Sequence, residues 1–163
     1  MFDDIANIGK SSMGWFFGFK LHITCNTNGE LTSMAFTKAS VDDRVPVLKL
    51  VSGFKGKIFA DKGYISIKLA QQLDDMGITL ITTPKKNMKA RFMPANFVDI
   101  ILHKKRSIIE SIFNILKNKL NISHSRHRSI FNFIGHLLST LIGYQFLCKK
   151  PKIKIDRALN NFA

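Results

Sequence analysis

Two acidic residues stand where a side chain can act on something other than its own fold. Asp61 ends the short apolar run Gly56-Lys-Ile-Phe-Ala-Asp61 and is followed by Lys62-Gly63-Tyr64. A carboxylate at the carboxyl end of an α/β strand projects into the crevice left by the loops, where such folds bind ligands. A solvated turn aspartate beside Gly63 would carry the same sequence. Glu110 is the only acid between Asp99 and Asp156, and it lies among Ile108, Ile109, Ile112, Phe113, Ile115 and Leu116. Arg106 and Lys117, four residues before it and seven after, fall with it within about 40° on a helix turning ~100° per residue, so the three share one face. Glu110 then either pairs with Arg106 or Asn114 along the helix surface or serves a ligand outside it.

The charge balance says which kind of ligand. Twenty-five Lys and Arg against eleven Asp and Glu give +14, an excess that calls for an anionic partner, nucleic acid first and acidic membrane second. Residues 84–163 hold 16 of the cations and 3 of the acids, against 7 and 5 in residues 1–60. Three clusters stand out: Lys85-Lys86, Lys104-Lys105-Arg106 and the turn Ser123-His-Ser-Arg126-His127-Arg128-Ser129. Arg126 and Arg128 beside small hydroxyls suit phosphate contacts that position a duplex without reading its bases, although a solvated interhelical turn would look similar. Lys20 and His22 fall on the polar side of a strand, where a locally hydrogen-bonded histidine is the expectation for His22.

The elements that must position these residues follow from periodicity. Phe17, Phe19, Leu21 and Ile23 alternate with Gly18, Lys20 and His22, which predicts a strand over 14–24. Asn28-Gly29 supplies a turn into a second strand at 31–37, making a hairpin. Asp42-Asp43 precede the helical pattern Val45, Leu48, Val51 and could cap it. A strand ending at Asp61, a helix from about Ser66 to Met76 stopped by Gly77, and a strand over 78–82 complete an α/β pattern whose later strands run parallel. Residues 84–99 read as a loop. One long helix is expected from about His103 to Leu120 and a last one from about Ile130 to Leu147. The last is interrupted by Asn132, His136, Ser139, Thr140 and Gln145 and is too short to span a bilayer, so it reads as a buried amphipathic helix. The length fits one domain, residues 1–150 with a tail at 151–163. Isolated Cys25 and Cys148 and a start, Met-Phe-Asp-Asp, that does not look like a signal peptide predict a cytoplasmic protein.

Four motifs in one order resemble a known family. Gly14-Trp-Phe-Phe-Gly-Phe-Lys-Leu-His22, Asp61-Lys-Gly-Tyr64, Arg106 with Glu110 and Lys117, and Ser125-Arg-His-Arg-Ser129 look like the DDE domain of bacterial insertion-sequence transposases, over about residues 2–151. His103 stands where the signature around the family's glutamate has Tyr, and it keeps an aromatic ring and a hydrogen-bonding group. The resemblance implies an α/β fold of the RNase H-like kind, a mixed sheet flanked by helices. In it two Asp and one Glu hold two Mg²⁺ ions for metal-dependent DNA strand cleavage and transfer. Asp61 corresponds to the second acid and Glu110 to the third, both as metal ligands and catalytic groups. Arg106 and Lys117 would contact phosphates or orient Glu110, and Tyr64 would pack at the site. Lys85, Lys86, Arg126 and Arg128 would join Arg106 and Lys117 on double-stranded DNA at the element ends, in a bacterial cytoplasm and nucleoid.

The first acid is harder to place. In the family it lies on the first strand of the sheet, farther upstream of Gly-Trp-Phe than the thirteen residues that precede Gly14 here. Asp3 and Asp4 resemble an aspartate pair that follows that strand. The expectation is a truncated or internally started chain without the first strand and its Asp, inactive by itself, with Asp3, Asp4, Asp42 and Asp43 as the substitutes weighed against it. Its partners would be DNA and another copy or the full-length transposase. The alternative is a non-catalytic DNA-binding or regulatory fragment that interferes with the full-length enzyme, and a nuclease using a substitute acid is a third reading.

Overall fold

Among the described residues twelve elements form, in the order β1 (Asn7–Ser11), β2 (Gly14–Cys25), β3 (Leu31–Lys38), α1 (Val47–Leu50), β4 (Gly56–Ala60), a 3-10 turn (Lys62–Tyr64), α2 (Ile67–Asp75), β5 (Ile78–Thr82), α3 (Phe97–Lys104), a 3-10 turn (Lys105–Ser107), α4 (Ile108–Asn118) and α5 (Ile130–Gln145). The computed structural model describes residues 6–11, 14–82, 93–94, 96–123 and 127–153. They divide into two compact units, residues 1–41 with 108–152 and residues 42–107 with 153–163.

The first unit is built on the alternating strand. β2 pairs antiparallel with β1 along its first half, Phe17 opposite Ile8, and with β3 along its second, from Phe19 opposite Lys38 to Cys25 opposite Leu31. β1 is an addition to the strands the sequence predicts. Asn26 folds the expected hairpin, its Oδ1 accepting the N–H groups of Asn28 and Glu30 at 3.0 Å each. Gly29 has φ 74°, and a Cβ there would fall on the carbonyl oxygen of Pro151, so only glycine fits. Leu21, Ile23 and Cys25 pack on a core of Ile112 and Leu116 from α4 with Leu137, Leu141 and Tyr144 from α5. Phe133 of α5 stacks on Phe19 and meets Phe36 in a tilted contact, at centroid distances of 5.7 and 5.6 Å.

In the second unit β4 and β5 run parallel, Gly56 opposite Ile78 and Ala60 opposite Thr82, as the strand–helix–strand order requires. Among the described residues the strands thus fall in two sheets, one antiparallel and one parallel. Ser66 caps α2, its side chain accepting from Leu69 N–H at 3.3 Å, and Gly77 at φ 74° follows its end. Leu69, Ala70 and Leu73 on one face of α2 are buried with Ile78, Leu80 and Ile81 of β5. Each buried Leu or Ile side chain among these contributes about 1.5–3 kcal/mol.

Three expectations are corrected. α1 is a single turn with Pro46 at its N-cap and no capping side chain. Asp42 instead accepts from the backbone and guanidinium of Arg44, the local bond that competes with helix formation. The long helix begins earlier, at Phe97, because Asn96 caps it through Asp99 N–H at 2.9 Å, and it breaks at Lys105–Ser107 into a 3-10 turn before α4. Arg106 thus lies in a 3-10 turn, while Glu110 and Lys117 share α4. α5 is buried on one stripe and exposed on another that is also apolar, so it is not amphipathic. Among the described residues no helix is long and apolar enough to cross a membrane.

Candidate active site

Asp61 sits one residue past β4, at the carboxyl end of the parallel pair, as the sequence places it. Its backbone is extended, and its Oδ1 accepts the N–H of Lys62 at 2.9 Å, which starts the 3-10 turn through Tyr64. The side chain is two-thirds exposed. One carboxylate oxygen therefore fixes the turn, while Oδ2 has no hydrogen bond among the described residues.

α3 brings two further groups to this strand end. It is fastened to the start of β4 by Lys57 Nζ, which donates to both carboxylate oxygens of buried Asp99 at 2.9 and 2.8 Å. Past its end, Arg106 donates to the carbonyl of His103 at 3.3 Å and to Asp61 Oδ1 at 3.5 Å. The helix is thus tied to the β4 strand near both of its ends, and the Arg106 guanidinium lies against the Asp61 carboxylate. At 3.5 Å and partial exposure this is a weak ion pair, one that orients charge without quenching it.

His103, one turn after Asp99, is buried, and its Nε2 has no hydrogen-bond partner among the described residues. Burial lowers its pKa, the Arg106 charge lowers it further, and Asp61 opposes both. The imidazole is therefore held neutral. Tyr64 is half-buried with its phenol pKa raised, first by burial and then by the charges of Asp43, Asp61 and Asp42, so it remains a protonated donor beside the strand end. The sequence reading missed the roles of Lys57 and Asp99. The signal was there in a lone acid one helical turn before His103.

Glu110 lies in the first turn of α4 and Lys117 in the last, an arrangement that complements the helix dipole. Both are exposed. Glu110 makes no hydrogen bond or ion pair among the described residues, and Asn114 bonds with Asn118 instead, so the helix-surface pairing expected as the ordinary account of Glu110 is not formed. Arg128 is exposed just before α5. Arg126, Lys85, Lys86, Asp3 and Asp4 lie outside the described residues. On the strand, His22 Nε2 bonds Thr37 Oγ1 at 2.8 Å, as expected, and Lys20 Nζ bonds the Val41 carbonyl at 2.9 Å.

With that geometry in place, the sequence model of the family described as Transposase DDE domain matches residues 1–130 of the 163. The chain belongs to this transposase family. Asp61, Arg106, Glu110, Lys117 and Arg128 of the transposase domain all fall within the matched span, and all but the first residue of α5 lies beyond it. Comparison with curated proteins and with solved structures finds no match.

DDE transposase domains generally use divalent metal ions. The donor chemistry of this transposase fits such an ion: carboxylate oxygens are the hard ligands Mg²⁺ prefers. Asp61 keeps one oxygen clear of hydrogen bonds and Glu110 keeps both among the described residues. No cluster of three or more His, Cys, Asp or Glu side chains able to hold a metal is found among the described residues.

Proposed function

We propose that this chain is the catalytic domain of an insertion-sequence transposase, of the RNase H-like kind, working over residues 1–150 in DNA strand cleavage and transfer. The observation that carries the reading is Asp61, two-thirds exposed at the carboxyl end of β4 with Arg106 laid against it, in a chain of the transposase DDE family. Asp61 and Glu110 are the residues that would hold the cations. Bound there, two divalent ions would stabilise the attacking and leaving oxygens of a phosphodiester displacement. The rest is done by the chain's own side chains. Arg106 keeps Asp61 turned toward the crevice and offers its remaining N–H groups to a phosphate. Neutral His103 adds no positive charge behind Arg106. Lys85, Lys86, Lys117, Arg126 and Arg128 are phosphate contacts along double-stranded DNA, and the bacterial cytoplasm and nucleoid are where that substrate is met.

We further propose that the chain in isolation is one ligand short, because two carboxylates do not supply the bridging acid that a pair of cations requires. Its partner is then a second copy or a full-length transposase. The test is a nicking and strand-transfer assay on labelled duplex with Mg²⁺ or Mn²⁺. The expected result is retarded DNA and no cut product. Metal-dependent cutting that is lost in Asp61→Asn and Glu110→Gln would show a complete site in this chain, and cutting indifferent to both would remove these acids from the mechanism. Binding without cutting under every condition, with interference when full-length transposase is added, would favour the regulatory alternative.

A further inference from the structure

α3 buries side chains that apolar area alone would not select. Asp99 is 2% exposed and His103 8%, four residues apart on one face, while Phe97, Val98 and Ile100 are 45%, 40% and 40% exposed. At ~100° per residue Phe97, Ile100 and buried Ile101 fall within about 100° of one another, and Asp99 lies at least about 100° from each of them. Turning Phe97 and Ile100 inward beside Ile101 would hide more apolar surface, the dominant favourable term in folding, and would bring Asp99 out to water. Something besides apolar burial therefore sets the rotation of this helix. Lys57 accounts for it, since its Nζ donates to both Asp99 carboxylate oxygens at 2.9 and 2.8 Å, and a carboxylate is buried when it is paired and hydrogen-bonded in this way.

We propose that Lys57 and Asp99 are positioning residues, whose ion pair fixes the rotation and register of α3 so that Arg106 arrives at Asp61. The two ties are spaced alike on both elements. Lys57 and Asp61 lie four residues apart on extended backbone, about 13 Å at ~3.3 Å per residue. From Asp99 to the end of α3 and on through the 3-10 turn to Arg106, the rise is about 11–12 Å at ~1.5 Å and then ~2.0 Å per residue, and the long arginine side chain covers the difference. A slip of one residue at Asp99 would turn the helix by ~100° and carry the guanidinium away from the strand end. Energetics argue the same way. Coulomb attraction in a buried ion pair only roughly offsets the desolvation of its charges, and the contact it sets up is long, at 3.5 Å, so stability explains neither. What the positioning serves rests on the proposed function; the placement itself does not.

The experiment is amide chemical-shift mapping of the full chain by NMR, with urea unfolding of each variant. Arg106→Ala first records how the signals of residues 61–64 move when the guanidinium is removed. Lys57→Met with Asp99→Leu replaces the pair by apolar side chains of similar size. This double variant should unfold at the wild-type urea midpoint or above it, yet carry the signals of residues 61–64 to their Arg106→Ala positions. Lys57→Arg keeps a donor that can meet both carboxylate oxygens and should leave those signals at their wild-type positions. Asp99→Asn is the second disruptive variant, since it keeps the shape of the side chain and releases a lysine that is already 41% exposed; it should move the same signals in the same direction. Wild-type signals at residues 61–64 in both disruptive variants overturn the proposal, because packing alone then holds the register. Loss of the folded state in both overturns it as well, since the pair is then a stability contact. DNA cutting indifferent to Asp61 and Glu110, with the shifts as expected, would remove the catalytic reading and still support the placement.

Discussion

Arg106 is the residue on which the candidate site turns, and its geometry separates function from stability. Its bond to Asp61 is long and its surroundings are wet, so the pair adds little to folding, while its fork still presents donors that a lysine could not arrange in the same way. Beside it, His103 shows how burial sets chemistry. Its pKa is lowered from the ordinary 6.5 mainly by desolvation, so the folded protein resists the proton that the unfolded chain takes up. Above pH 6.5 both states are neutral at this position and it adds no pH dependence. As pH falls below 6.5 the unfolded state gains a proton first, and stability declines until the folded-state pKa is reached. His103→Gln is expected to flatten the slope of unfolding free energy against pH below about 6.5, measured by urea titration; an unchanged slope would assign that pH dependence to other groups.

At the scale of elements, α5 is what fixes the hairpin of the first unit. The Tyr144 hydroxyl is buried and donates to the Gly29 carbonyl at 2.7 Å, and burial pushes its pKa up to about 12. The Gln145 amide mimics a neighbouring strand, donating to the Leu31 carbonyl at 2.8 Å and accepting from its N–H at 3.0 Å. Tyr144→Phe keeps the ring in the core and strands the Gly29 carbonyl, so it should cost about 1–2 kcal/mol. The reading is a lowered urea midpoint with an unchanged m-value, together with faster amide exchange at Asn26 to Leu31. A loss confined to global stability, with the turn still protected, would mean that the hairpin holds itself.

At the scale of the whole molecule, charge is the dominant property. Residues 84–163 concentrate the cations in three sequence clusters, and binding that releases counterions from duplex DNA falls by a slope of about 0.9 in log K per neutralised phosphate as log salt rises. Six or so contacts would weaken binding ~10³-fold or more between 50 and 200 mM salt. Arg126→Ala with Arg128→Ala should lower affinity for all duplex sequences alike and flatten the slope by up to ~2 units. An unchanged slope in fluorescence-anisotropy titrations would place that turn off the DNA. Undiminished binding at high salt would point to an apolar or base-reading interface.

By itself the sequence determined the local elements. Alternation from Gly14, the Asn-Gly turn, the Ser66 cap and the Gly77 stop are short-range signals, and each forms within a residue or two of its expected place. It also put Asp61 at a strand end and the positive charge in the second half, because strand polarity and composition need no partner. Only the tertiary structure decided the rest. Periodicity gave Arg106, Glu110 and Lys117 one continuous helix, but Lys105–Ser107 form a 3-10 turn, and Arg106 bonds Asp61, 45 residues away. The family resemblance marked His103 as a substitution, and only packing shows it buried, with Nε2 unpaired among the described residues. The interruptions in α5 read as a polar face, yet Thr140 is spent on the His136 carbonyl and Ser139 on that of Gly135, which leaves both sides of the helix apolar. Long-range pairing and burial depend on which elements meet, and a one-dimensional pattern carries no term for that.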